Sequence, residues 1–79
     1  MTSKNYSIEE KALLISLGLT IKKNRLNKNI SQEELADMCG LHRTYVSSVE
    51  RGERNVSLIN LVSLSKALDI KLIELLKDI

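Results

Sequence analysis

The 79-residue chain contains no proline, no tryptophan and no phenylalanine, and only one cysteine and one histidine. A single cysteine excludes an internal disulfide, and one cysteine with one histidine cannot close a zinc site, so no cofactor or metal is expected. The same scarcity fits a reducing cytoplasm. No apolar run approaches the roughly 18 residues of a membrane span. The most apolar early stretch, residues 12–21, is interrupted by Ser16, Gly18 and Thr20 and preceded by Glu9 and Glu10, so neither a secretory signal nor a membrane partner is expected. With three glycines in all, there is no glycine-rich phosphate loop. Cys39 and His42 stand at i, i+3 and could suggest a thiol dyad. However, Cys39 ends an inward-facing helix and has no third orienting group, so it reads as a buried structural thiol. A chain this short also leaves no room for a ligand pocket of several hundred cubic ångströms. An enzyme is not expected.

The net charge of +2 does not by itself argue for nucleic acid. Its distribution is more informative. Lys22, Lys23, Arg25 and Lys28 cluster with no acid among them, and Arg43, Arg51 and Arg54 follow. The chain has the length of one domain and buries only about 60% of its unfolded surface, which leaves a marginal core. There are no repeats, linkers or low-complexity tracts.

Residues 1–6 are polar and read as a loose tail, with the domain following over residues 7–79. Ser7 and Glu10 have capping-box spacing, and a first helix is expected to about Lys28, with Asn29 as a left-handed stop. Leu14, Leu17 and Ile21 make one apolar stripe; Ile15, Leu19 and Leu26 make a second, which implies more than one neighbour. Ile30 can staple the next helix. Ser31 with Glu34 is a second capping box. Leu35 and Ala36 give that helix its apolar face, Gly40 can end it, and Leu41 plugs the corner. A third helix, about Arg43 to Glu50, turns Val46 and Val49 inward, with His42 as a poor N-cap and Gly52 as its stop. Its other face carries Arg43, Thr44, Ser47 and Ser48, with Tyr45 at the flank. After a loop over residues 53–56, Ser57 caps a fourth helix over residues 58–68, with Leu58, Leu61, Leu64 and Leu68 inward. A short fifth helix over residues 72–77 completes an all-α, five-helix chain.

Two short helices joined by a tight turn, the second with an apolar back and an arginine-led polar front, suit the edge of a DNA major groove. The run S-Q-E-E-L-A-D-M-C-G-L-H-R-T-Y-V-S-S-V-E-R-G, residues 31–52, resembles the lambda-repressor-like helix-turn-helix family. L-H-R-T-Y-V-S-S-V-E-R-G-E-R-N-V-S-L is similar to the controller proteins of restriction–modification systems, whose pattern is R-T-Y-[IV]-S-x-[IV]-E-R followed by R-N-[IVL]-[ST]. The fold likeness spans residues 17–76. It implies a cytoplasmic, sequence-specific transcriptional regulator that binds double-stranded DNA and controls its own gene and a restriction endonuclease gene. RNA polymerase would be a further partner. A phage-type repressor, or an antitoxin whose C-terminal apolar surface binds a toxin, is the alternative.

Arg43, Thr44, Ser47 and Ser48 are expected to contact bases. A guanidinium matches guanine O6 and N7 with two hydrogen bonds, and Thr44 can offer its methyl to thymine. Gln32 with the free amides at its helix start, Tyr45, Arg54, Asn55 and Ser57 are expected at the backbone; for Tyr45 the resemblance implies contact with the central DNA. Arg51 reads as a surface ion pair. The resemblance pairs Arg25 with Glu50 in an ion pair at least half buried, and Asn24 stands where the family is commonly apolar. Ile59 and Ile73 stand where the general fold is usually polar. With Val62, Leu76 and Ile79 they are expected to form a two-fold homodimer interface, and bound dimers could stack into tetramers. Two recognition helices about one turn, roughly 34 Å, apart imply a near-palindromic operator.

Overall fold

Two serines start the first two helices by the same reciprocal bond. In the computed structural model, which describes residues 5–79, Ser7 Oγ accepts from Glu10 N while Glu10 Oε1 accepts from Ser7 N. Ser31 and Glu34 repeat the pattern. The helices are α1 (Ile8–Asn27), α2 (Gln32–Cys39), α3 (Arg43–Glu50), α4 (Leu58–Ala67) and α5 (Leu72–Leu76), and no strand is found among the described residues. Of the expected tail, residues 1–4 lie outside the described residues, while Tyr6 is half-buried.

The first four helices stop by one device, a residue with positive φ: Asn29 at 59°, Gly40 at 66°, Gly52 at 75° and Asp69 at 56°. Each is followed by an amide that reaches back into the helix, as Leu41 N does to Ala36 O at 2.9 Å and Ile70 N to Ser65 O at 3.0 Å. Asn and Asp accept this left-handed conformation more readily than other residues with a Cβ.

The core gathers Leu17 and Ile21 of α1, Leu35 and Ala36 of α2, Val46 and Val49 of α3, then Val56, Leu64, Leu68 and Leu75. Gly18 sets how near α1 and α3 can come. A Cβ there would lie 2.4 Å from Val49 O and 2.6 Å from Glu50 O, so no other residue fits without moving backbone.

Three expectations about packing are corrected. Leu19 and Leu26 find no second neighbour and remain exposed, whereas Ile15 is half-exposed and lies close against Gly52 after α3. α1 does meet a second helix, but along Ser16, Thr20 and Asn24: Ser16 Oγ donates to Asp78 O at 3.3 Å, and these polar residues, not the stripe, flank the α5 end. Leu58 is exposed rather than inward, because it opens α4 at the margin of the stripe while Val56 just before it fills the core. Cys39 is half-buried, with its thiol 3.6 Å from Ser63 O. Burial there pushes the thiol pKa up, which disfavours the reactive thiolate. Asn24, the departure from the family pattern, donates Nδ2 to Thr20 O at 2.8 Å and so is satisfied within its own helix.

Candidate nucleic-acid interface

α3 is held from behind by charge as well as by Val46 and Val49. Arg25 Nε donates to Glu50 Oε2 at 2.7 Å and Nη2 to Oε1 at 3.0 Å, a two-pronged pair whose side chains are 9% and 3% exposed. Hydrogen bonding to Glu50 raises the Arg25 pKa against the opposing effect of burial. The remaining donors are also placed: Arg25 Nη1 meets Ile30 O at 2.9 Å, and Gln32 Nε2 meets Glu50 Oε1 at 3.0 Å. Four residues from the end of α1 to the end of α3 thus form one satisfied network, and no buried side-chain polar atom among the described residues lacks a partner. Such a pair fixes orientation rather than adding much stability, but breaking it strands a charge.

With its back fixed, α3 leaves Arg43 and Thr44 exposed and Ser47 half-buried. His42 caps the helix without a side-chain hydrogen bond, so no side chain of the cap satisfies the first amides of α3. Tyr45 is half-buried at the flank. Its hydroxyl accepts from Asn60 Nδ2 at 3.2 Å, and the Arg54 guanidinium lies over its ring at 5.7 Å, so the tyrosine is braced between α4 and the loop after α3.

Ser48 is not on the exposed face of α3. It is 5% exposed, donates to Tyr45 O at 2.7 Å and accepts from Arg54 Nε at 3.0 Å. The helical wheel puts Ser48 away from Val46, but the chain turns back after Gly52, where Glu53 N bonds Ser48 O at 2.9 Å, and covers it. Ser48 is therefore buried and engaged by Tyr45 O and Arg54 rather than turned to solvent as the helical wheel suggested. Gln32 lies near the start of α2 as expected, but its amide nitrogen is held by Glu50. Ser57 Oγ accepts from Asn60 N at 3.1 Å and caps α4, Asn55 is exposed on the loop, and Arg54 is exposed beside Tyr45. Arg51 pairs with Glu53 at 2.9 Å, both about half exposed, as its surface position suggested. Two residues that matter here carried no sequence signal: Gly18, whose missing side chain lets α3 seat on α1, and Asn60, which anchors the Tyr45 hydroxyl.

Ile59 and Ile73 are 74% and 67% exposed, Leu76 and Ile79 are also exposed, and Val62 is half-buried. Among the described residues no group of three or more His, Cys, Asp or Glu could hold a metal, and no helix is long and apolar enough to cross a membrane.

Residues 21–75 match the helix-turn-helix family. The chain is 54% identical over 55 residues to control protein C.BamHI of Bacillus amyloliquefaciens, covering 68% of each chain. It is 50% identical over 60 residues to control protein C.SmaI of Serratia marcescens, covering 76% of this chain and 71% of that one. Among solved structures it is similar to the restriction–modification controller protein C.AhdI of Aeromonas hydrophila, with 50% identity, a TM-score of 0.80, and coverage of 81% of this chain and 97% of that one.

Proposed function

Since the chain belongs to the helix-turn-helix regulators, and within them to the restriction–modification controller proteins, we propose that it binds its operator as a homodimer and times expression of a restriction endonuclease. That it is a DNA-binding transcriptional regulator follows from the family. Residue roles, assembly state and operator form are the proposal.

The observation that carries the proposal is the first turn of α3. Arg43 and Thr44 are exposed, while Val46, Val49 and Glu50 on its back are buried. That disposition supports base reading by Arg43 and Thr44 with support from Ser47, and backbone contact by Tyr45, Arg54, Asn55, Ser57 and the start of α2 at Gln32. The exposed apolar residues Ile59, Ile73, Leu76 and Ile79, with Val62, support a two-fold interface formed by residues 56–79. Two copies so joined would set their α3 helices about 34 Å apart, matching successive major grooves of a near-palindromic site. Occupancy then depends steeply on protein concentration, which delays the nuclease until methylation is under way. Tetramers on tandem sites and contact with RNA polymerase would extend the same scheme to repression and activation. The free thiol and the charge pattern fit action in the cytoplasm and a binding protein rather than an enzyme.

Footprinting upstream of its own gene over a concentration series tests the proposal. Protection of two half-sites one helical turn apart, rising together and steeply, is expected. Protection of a single half-site with a simple hyperbolic rise would contradict the dimer, and no protection at all would contradict autoregulation.

A further inference from the structure

Arg51 is the cation at the end of the reading face, and it is already occupied. Thr44, Ser47 and Arg51 follow at i, i+3 and i+7, so they share one side of α3, whose helical geometry continues through Arg51 at φ −83°. All three guanidinium nitrogens are engaged. Nη1 donates to Ser47 Oγ, Nε donates to Glu53 Oε2 at 2.9 Å, and Nη2 donates to Glu53 Oε1 at 3.1 Å. The carboxylate thus fills the same two-pronged edge of the arginine that a phosphate would take, since both anions match that fork. Glu53 also faces the second backbone-gripping cation. The Arg51 hydrogen bond draws its carboxyl pKa below the usual range, with a smaller contribution from the charge of Arg54.

Resting on the DNA-binding reading above, we propose that Glu53 is a built-in phosphate mimic that holds Arg51 closed, so that duplex DNA must displace the carboxylate before Arg51 can grip the backbone. The pair is open to water on both partners, with side chains 55% and 56% exposed, so the exchange requires no unfolding and little desolvation. Arg51 is the better backbone candidate than base candidate because it lies two turns beyond Arg43, just past the C-terminal end of α3. When DNA arrives, Arg51 trades one anion for another and the freed Glu53 takes up a cation from solution. The grip therefore adds almost nothing to net counterion release. Affinity for every duplex, operator and non-operator alike, is held down by the same factor. Release of Arg51 also frees the Ser47 hydroxyl for a base, coupling backbone grip to readout at that position.

The test is a set of salt titrations with Glu53→Gln, Arg51→Ala and the double variant, each on operator and on non-operator duplex. Glu53→Gln should tighten binding to both duplexes by about 3- to 10-fold at low salt and steepen the slope of log K against log salt by about 0.9 per protomer, the release expected for one added phosphate contact. In the Arg51→Ala background the Glu53→Gln gain should disappear. An unchanged affinity and slope for Glu53→Gln would overturn the proposal. So would a gain that survives in Arg51→Ala, because Glu53 would then act by repelling DNA at a distance. A tightening confined to the operator would also overturn it, by making Arg51 a base reader. If the wild-type chain bound neither duplex, the parent reading would fail, a result distinct from all of these. Unchanged thermal melting of the variants shows that they fold.

Discussion

Around α3, each buried polar group has a partner, and the helix cannot shift without stranding a charge; along α4 and α5, large apolar side chains stand in water. The contrast separates two kinds of incompleteness. The part behind α3 is closed by Arg25, Glu50, Gln32 and Gly18, and α3 itself turns short polar groups and Arg43 outward. The α4–α5 part contributes Leu64, Leu68 and Leu75 to the core but leaves Leu58, Ile59, Ile73 and Ile79 exposed. A polar opening on a rigid helix suits a hydrated, charged partner, whereas an apolar opening on short helices suits a second protein surface.

The sharpest way to break the contrast is to damage the closed part. Glu50→Ala leaves the Arg25 charge buried and should cost about 3–5 kcal/mol; denaturant unfolding checks it, and a loss under about 1 kcal/mol would mean that Arg25 finds water. Gly18→Ala comes next. Overpacking against the Val49 and Glu50 carbonyls should cost about 1–3 kcal/mol or more and should lower operator affinity through a displaced α3, both measurable on one purified variant. For the open part, Ile59→Asp with Ile73→Asp should shift sedimentation from dimer to monomer. It should also remove the concentration dependence of the melting temperature while leaving the helical circular dichroism in place. If the double variant unfolds instead, those side chains belong to the core and the contrast is lost. The smallest effect belongs to the surface pair: Arg51→Ala should leave thermal melting unchanged, since exposed ion pairs contribute little.

The sequence reveals the closed part well and the open part unevenly. Helix starts are written in Ser7–Glu10 and Ser31–Glu34 because a capping box is a local bond, and the stops at Asn29 and Gly40 follow from one residue's tolerance of positive φ. The Arg25–Glu50 pair is nonlocal, and family resemblance rather than spacing leads to it. What periodicity misplaces is decided by chain outside the helix concerned. Ser48 is covered by the returning loop, and Leu58 lies at a margin where Val56 takes the core position. Leu19 and Leu26 lie on a true helical stripe but stay exposed, while Ile15 of the same stripe is approached by Gly52. Gly18 could not be read as essential, because a glycine inside a helix looks the same whether or not a neighbouring carbonyl needs its space.

The central claim is that α3 reads bases through its exposed first turn. Affinities of wild type and Arg43→Ala for a panel of operators, each with one base pair changed, test it directly. Arg43→Ala should lose about 1–3 kcal/mol on the intact operator and lose its preference at one base pair in each half-site. If it weakened binding to every duplex equally and kept the wild-type preference at every position, Arg43 would be a backbone grip and the reading face would lie elsewhere.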